Sequence, residues 1–335
     1  MEKLNKRTGY LDTAKGIGIL LVILGHIDVG MATSWLYSFH LPLFYIVSGI
    51  CFNYYGNFKG YFIKKSKRCL TPYVFFGLLV VAVESFTGYL YSTGFKVNIL
   101  MLIKQERYST LWFLATLYIA SLIFYLLIII CRNNSLLAFI ISLVLSVIAV
   151  YIDQNYIRAL PWNIDTAFIV LAFISFGYLL KEKLHILDII ESLKNTKRAV
   201  LAVILMILNL LLYIGNFLMS GRTLEMYWNS YGNYPMMFLS AVAGTLGVII
   251  LSKVINCKYL ESLGRKSMTY FALHQSVFLW PFTLVLRKIG MITFKPGINN
   301  YISKVILLIT VLVACKLTDD LIRKTKLRVI LGETR

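Results

Sequence analysis

Ten apolar windows, each near the length of a bilayer crossing, set the limits on what this chain can become. They fall near residues 12–30, 36–55, 72–93, 111–131, 135–152, 164–180, 199–219, 234–254, 268–288 and 301–319. A helix needs about 20 apolar residues to span the hydrocarbon core, because each residue advances it by only about 1.5 Å. The window at 135–152 is short, and Pro42 interrupts the second window early. No polar stretch between windows is long enough to be a separate soluble domain. Charged residues make up 15% of the chain and hydrophobic ones 59%, with a mean hydropathy of +0.74. Soluble domains carry about 25% charged residues. The expectation is an all-α, polytopic integral membrane protein of about ten transmembrane helices, forming a single domain over residues 1–335.

Basic residues orient the spans, since Lys and Arg beside apolar segments favour the cytoplasmic face. Threading ten spans puts 25 of the 34 lysines and arginines on the side of the termini and eight on the other, with Lys304 at a span edge. Both termini are therefore expected in the cytoplasm. The first span, preceded by Lys3, Lys6 and Arg7, resembles a cleavable signal. Its removal would leave nine spans and send the basic tail outward, against the same rule. Attraction to anionic headgroups accounts for the net charge of +19. The lipid bilayer is thus an expected partner. Nucleic acid is not, because a binding surface for it would need one basic face on a soluble fold. Five cysteines lie at the inner ends or inner halves of spans without C-x-x-C spacing, a pattern unlike a disulfide framework or a zinc site.

Several windows carry side chains that lipid does not accept easily. AKGIGILLVILGHIDVG contains Lys15 and His26, and WLYSFHLPLFYIVSGIC contains His40. Ionisable groups at membrane depth usually face a protein interior or a wet cavity. Lys15 and His26 are eleven residues apart. Helical geometry returns them to within about 20° of one face, roughly 16 Å apart along the axis. A long ligand could hold its anionic head at Lys15 and its reactive end at His26. Neutral imidazole is a competent general base near neutral pH. Taken alone, Lys15 also reads as a cation snorkelling to the headgroups. His26, on a stripe with Gly16, Gly18 and Gly25, reads as functional.

Other candidates admit two readings each. His40 either faces the same cavity as His26 or donates to a backbone carbonyl at the interface. His274 lies eight residues beyond Lys266, and either bridges helices or joins the site. Glu84, inside the third span, must be paired, wet or protonated. Asp165 opens the sixth span, where a carboxylate also suits a helix N-terminus. His185 falls in a charged loop and is expected to be solvated. No G-x-S-x-G, Walker, Rossmann or H-E-x-x-H pattern occurs. His26, His40 and His274 have different expected depths, which argues against a metal centre.

YLDTAKGIGILLVILGH, SFHLPLFYIVSG and FIKKSKRCLTPY occur in that order. They are followed by LWFLATLY (111–118), PWNIDTAFIVLAFISFGYLLK (161–181) and LESLGRKSMTYFALHQ (260–275). This succession, covering nearly the whole chain, resembles the integral-membrane acyltransferase family 3, and within it the bacterial sugar O-acetyltransferase branch. The resemblance implies an enzyme of the bacterial plasma membrane. Such an enzyme would pass an acetyl group from cytoplasmic acetyl-CoA to a hydroxyl of a cell-surface or secreted polysaccharide. Acetyl-CoA would be a substrate, with no permanently bound cofactor and no metal. The family's basic residue and histidine, ten residues between them, fall on Lys15 and His26, with His26 implied as catalytic. Its R-x-x-R-like motif falls on Lys65 and Arg68. Lysine replaces the first arginine there and serves as a point charge rather than a bidentate fork.

Joined to the helical reading, this places the CoA phosphates against Lys15, Lys65 and Arg68. The acyl end would reach His26, acting as base or as transient acyl carrier. His40, Trp112 and Asp165 are expected on the acceptor side, and His274 and Glu84 are further pocket candidates. Trp112 is also the kind of residue that anchors at an interface. Aromatic residues, 14% of the chain and mostly in spans, suggest no sugar platform. A transporter or flippase of lipid-linked saccharide would be expected to show related halves with matching broken helices, and none is visible. The membrane-bound O-acyltransferases share the chemistry but not this order of motifs.

Overall fold

A computed structural model describes residues 2–27, 29–54, 56–87, 94–155, 160–183, 186–291 and 298–332. Arg158, His185, Lys295 and Arg335 lie outside the described residues. Helix α1 (Glu2–Ile27) is followed by the short α2 (Met31–Tyr37) and α3 (His40–Ile50). Next come α4 (Phe58–Thr87), α5 (Gly94–Lys104), α6 (Trp112–Ile130) and α7 (Ser135–Asn155). A 3-10 turn (Pro161–Asn163) leads into α8 (Ile164–Glu182), then α9 (Ile186–Ser192), α10 (Asn195–Ser220) and α11 (Tyr234–Val254). The last part holds α12 (Lys258–Arg265), α13 (Ser267–Leu273), a π-helical turn (His274–Leu279), α14 (Trp280–Lys288) and α15 (Ile298–Lys324). The described residues contain no strand, only an isolated bridge between Glu225 and Ser230.

Among the described residues, seven helical stretches are long and apolar enough to cross a membrane: Gly9–Ile27, Phe58–Thr87, Trp112–Ile130, Ser135–Asn155, Pro161–Glu182, Asn195–Ser220 and Tyr234–Val254. They match seven of the ten sequence windows. The other three windows are helical but differ in kind. The window at 36–55 becomes α3, whose 11 residues rise only about 16 Å, half a hydrocarbon core. The window at 268–288 is divided by the π-helical turn. The window at 301–319 lies inside α15, where Lys304 and Lys316 bracket an uninterrupted apolar run. Hydropathy sees apolar content and is blind to the π-helical break.

The apolar windows of the long helices are buried to very different degrees. That of α8 is 83% buried, whereas those of α7 and α10 are 28% and 17% buried. Thus α8 is central, apolar on all sides, and α7 and α10 flank it with Val203, Ile204, Ile207 and Leu211 turned outward. The inner face of α10 is polar instead. Asn209 donates to Ser38 Oγ (3.1 Å) and to the Ser240 carbonyl (2.8 Å), tying α10 to α11 and to the α2–α3 junction. Such bonds between helices act as polar glue where water is scarce.

Small residues set the closest crossings. A methyl group at Gly49 would collide with the Ile174 carbonyl, and one at Gly177 with the Ile46 carbonyl, so α3 and α8 meet main chain to main chain. Gly16 and Gly264 do the same for α1 and α12, against Leu260 and Asp12. Higher on α1, a methyl at Gly25 would stand 2.7 Å from the Tyr37 ring. The glycine stripe of α1 is therefore a packing surface, and it fixes which way Lys15 and His26 point.

Candidate active site

A cavity of about 260 Å³ opens between α1, α3, α4 and α6. Lys15, Lys64, Lys65 and Arg68 line it, and no carboxylate does among the described residues. Lys64, Lys65 and Arg68 share a face because residues three and four apart are neighbours on a helix. Lys15 reaches them from α1, braced by Asp12 at 2.6 Å. Three residues taken from two distant motifs, Lys15, Lys65 and Arg68, thus come together in one basic chamber. Its remaining wall is largely apolar, with Phe44, Phe113 and Phe271 among its members.

A second cavity, about 450 Å³, surrounds the far end of α1. His26, in the last turn of that helix, lines it together with His40, Trp112 and Gln275. His26 Nδ1 is 3.0 Å from the Gln275 side-chain amide. Its ring centroid is 5.1 Å from that of His274 and 6.4 Å from that of Tyr37. Tyr37 in turn lies 5.1 Å from the His40 ring and donates its hydroxyl to the Gly25 carbonyl at 3.0 Å. The expected difference in depth among the three histidines is therefore not found. His274 is reached by a helix that bends, and it meets α1 beside His26.

Two of these histidines have their protons located by their neighbours. His40 Nδ1 is 2.8 Å from the Leu36 carbonyl, and His274 Nδ1 is 2.9 and 3.0 Å from the carbonyls of Tyr270 and Phe271. A carbonyl only accepts, so Nδ1 carries the hydrogen and Nε2 presents a lone pair in each ring. His274 Nε2 is buried without a hydrogen-bond partner among the described residues. The π-helical turn that begins at His274 has a local cause. Pro281 has no N–H for the carbonyl of Val277, so the ordinary ladder fails there. Single π turns of this kind recur at functional sites.

Phe271 belongs to the walls of both cavities. Its ring packs 4.8 Å from that of Phe113, which faces the basic chamber, and 6.2 Å from that of His274. An aromatic pair therefore separates the cations from the imidazoles. Lys15 and His26 belong to one helix and open on opposite sides of that partition.

A family model described as an acyltransferase domain matches residues 8–318. The chain belongs to acyltransferase family 3. No curated protein and no solved structure matches it.

Not every residue singled out from the sequence reaches a chamber of this acyltransferase. Trp112 does, with its ring 6.0 Å from Tyr227. Asp165 lines neither cavity. It is buried at the start of α8 and accepts from Arg107 Nη2 at 2.5 Å, with Asp153 3.9 Å from the same nitrogen. Its role at a helix start, one of its two sequence readings, is joined to an ion pair that the sequence did not announce. Glu84 is buried within α4 and also lines neither cavity.

The chambers also contain residues that sequence reasoning passed over. Gln275 follows His274 in the recognised motif but carried no signal of its own. Tyr37, Tyr227, Trp228 and Trp280 join Trp112 around the histidine chamber, gathering aromatics that looked scattered along the chain. Glu225 lines the same chamber, and burial pushes its carboxyl up to about 7. The segment before α6 shows backbone strain as well. Gln105, Arg107 and Ser109 all have positive φ, at 49°, 60° and 57°. Asn163 accepts the Arg107 N–H at 3.2 Å, and Gln105 Oε1 accepts the Tyr108 N–H at 2.7 Å. Left-handed backbone in residues other than glycine persists only where surroundings hold it. Here it brings Ser109 and Thr110 to the chamber wall.

Proposed function

We propose that this membrane acyltransferase transfers an acetyl group from cytoplasmic acetyl-CoA to a hydroxyl of a cell-surface or secreted saccharide. The observation that carries the reading is the pair of chambers joined by α1. One is lined by four cations and suits a polyphosphate head. The other is lined by imidazoles and aromatics and suits a sugar. In this reading the basic chamber and both termini face the cytoplasm, and about ten crossings of the bacterial plasma membrane complete the domain. The excess of basic residues on that side supports the orientation.

Lys15, Lys65 and Arg68 hold the CoA phosphates as point charges and, for Arg68, as a fork. The thioester arm runs along α1 past Phe271. His26 takes the proton from the acceptor hydroxyl, whose oxygen attacks the thioester carbonyl. The carbon–sulfur bond then breaks, and the CoA thiolate leaves with the proton that His26 returns. For this, Gln275 turns its amide oxygen to the His26 Nδ1–H, leaving Nε2 free as base; an amide presents either end by a half-turn. His40 offers its Nε2 lone pair to the acceptor, and Trp112 a ring face. The partition at Phe271 also favours a relay in which His26 Nε2 first takes the acetyl group as CoA thiolate departs, then yields it to the hydroxyl, whose proton His274 Nε2 accepts and water carries on to the thiolate. Asp165 and Glu84 act on the frame.

Transfer from labelled acetyl-CoA, with polysaccharide ester content compared in cells with and without the protein, tests the reading. His26→Ala should remove transfer, by about 10²–10⁴-fold in rate, with the thermal midpoint unchanged. Transfer at near the wild-type rate would sink the role of His26.

A further inference from the structure

We infer that the acceptor entering the histidine chamber is uncharged or cationic around its reacting hydroxyl, and that Glu225 is the side chain that selects it. The inference rests on the proposed function, in that it takes this chamber to be the acceptor's. The two chambers differ in sign. Four cations and no carboxylate line the first, whereas the carboxylate of Glu225 and no lysine or arginine line the second, among the described residues. A uronic acid or a sugar phosphate would bring an anion into a confined space with no counter-ion and, above about pH 7 where the Glu225 carboxyl is ionised, one like charge. Desolvating an unpaired charge is strongly unfavourable, and repulsion in a low-dielectric site adds to it. Arg107 does not line this chamber. Its Nη2 already serves Asp165 (2.5 Å), Thr166 (3.2 Å) and Asn229.

The placement of Glu225 is built rather than incidental. Its backbone exchanges two hydrogen bonds with Ser230, at 2.8 and 3.0 Å, closing a small loop over the chamber. Asn229 anchors that loop through Arg107 and through Asp153 at 2.5 Å. Asn216, on α10, donates to the carbonyls of Tyr231 and Asn233 at 3.2 and 2.9 Å. No side-chain bond or ion pair engages the Glu225 carboxylate among the described residues, so its oxygens remain for a ligand. Two carboxylate oxygens can accept from two adjacent hydroxyls or from an ammonium. Trp112 and Tyr227, on the same wall, offer flat apolar faces to the carbon side of a pyranose ring. The carboxyl's elevation to about 7 by burial agrees with a group held out of bulk water.

A thiol placed in the chamber reads its sign without knowledge of the acceptor. Tyr227→Cys in intact cells would be treated with cationic and anionic methanethiosulfonates of equal size. Each rate would be normalised to a free thiol and corrected for the wild-type protein. At pH 8, above the carboxyl's value of about 7, the cation should be favoured by about tenfold, as expected for one nearby charge at intermediate dielectric, and Glu225→Gln should bring the ratio near unity. A ratio unmoved by Glu225→Gln, or an anion preference, overturns the inference. Trp228→Cys at the mouth repeats the measurement should the first variant not fold. Failure of both reagents at both positions refutes an outward-open chamber. Purified protein in nanodiscs would then be offered acetyl-CoA with chitotriose, its de-acetylated cationic trimer, or trigalacturonate. Trigalacturonate should be the poorest acceptor, and equal transfer to it overturns the inference. Should CoA be released with none of the three, the proposed function is in question, while the thiol ratio still decides the sign of the chamber.

Discussion

The imidazoles of His26 and His274 face one another with ring centroids 5.1 Å apart, one closing the first helix and the other opening a π-helical turn near the end of the chain. His274 has given its only N–H to two carbonyls, so the atom it can turn toward His26 is an acceptor. A proton arriving on His26 would therefore find a second base beside it. In the proposed mechanism of direct transfer His274 is then a positioning residue that acts through His26. His274→Leu should lower kcat by about 10²-fold while acetyl-CoA affinity stays within threefold of the parent by the same logic of a group that never meets donor. His274→Gln, which restores an acceptor oxygen, should recover much of the loss. Parallel losses in both variants, tracking thermal stability, would reduce His274 to packing.

The four cations should share the donor unequally. Arg68→Ala is expected to weaken acetyl-CoA binding by about tenfold, in keeping with about 1.5–3 kcal/mol for a charged hydrogen bond, and Arg68→Lys to recover only part of it. Lys65→Arg should bind at least as well as the parent. Isothermal titration with acetyl-CoA, and with a CoA lacking the 3′-phosphate, separates a phosphate ligand from a mere electrostatic background. Equal affinity across the set would remove the basic chamber from the donor's path.

Phe271 predicts leakage. Replacing it with alanine joins the chambers and lets water reach the thioester, so acceptor-independent CoA release should rise while transfer falls. Truncating a buried phenylalanine also destabilises by about 3–5 kcal/mol, so Phe271→Leu is the milder test. A thiol-trapping assay for free CoA, run without acceptor, reads the effect directly. No rise in either variant would mean that the partition does not guard the reaction.

Glu225 makes a prediction about pH. Its carboxyl is raised from 4.5 to about 7 by burial, so the folded protein keeps a proton that the unfolded chain has lost. Stability from this group is full below the unfolded value and declines as pH rises toward 7. Between pH 5 and pH 8 the thermal midpoint should fall more in the parent than in Glu225→Gln, about the range bounded by those two values. His26 and His40 share the chamber and contribute to both proteins, so the difference isolates Glu225. Identical slopes would show that its carboxyl is not held from water.

Long elements were legible in the sequence, and meetings between them were not. Among the described residues, seven helices follow from windows of high apolar content, and the common face of Lys15 and His26 follows from the period of one helix. Lys65 and Arg68 could be joined to Lys15 only through family resemblance, because nothing in a helix's own period names its neighbour. The same limit hid His274 and Gln275 from His26. Asp165 carried an N-terminal signal, but its partner Arg107 sits in a left-handed loop segment without pattern. Glu225, Tyr227 and Trp228 come from a connection that reads as ordinary polar sequence, and bonds from Asn216 and Asn229 with the backbone pairing of Glu225 and Ser230 give it shape.

Because Lys15 and His26 ride on one unbroken helix, the proposed mechanism writes the span between grip and chemistry as a residue count, with α1 as its ruler. One residue inserted between them would swing the imidazole by about 100° and off its mark, whereas a deletion or insertion of a near-whole turn would shorten or lengthen the gauge by about 5–6 Å with the bearing almost kept. Under the proposed function, the choice of donor length becomes a property of backbone arithmetic, adjustable by whole turns and by little else.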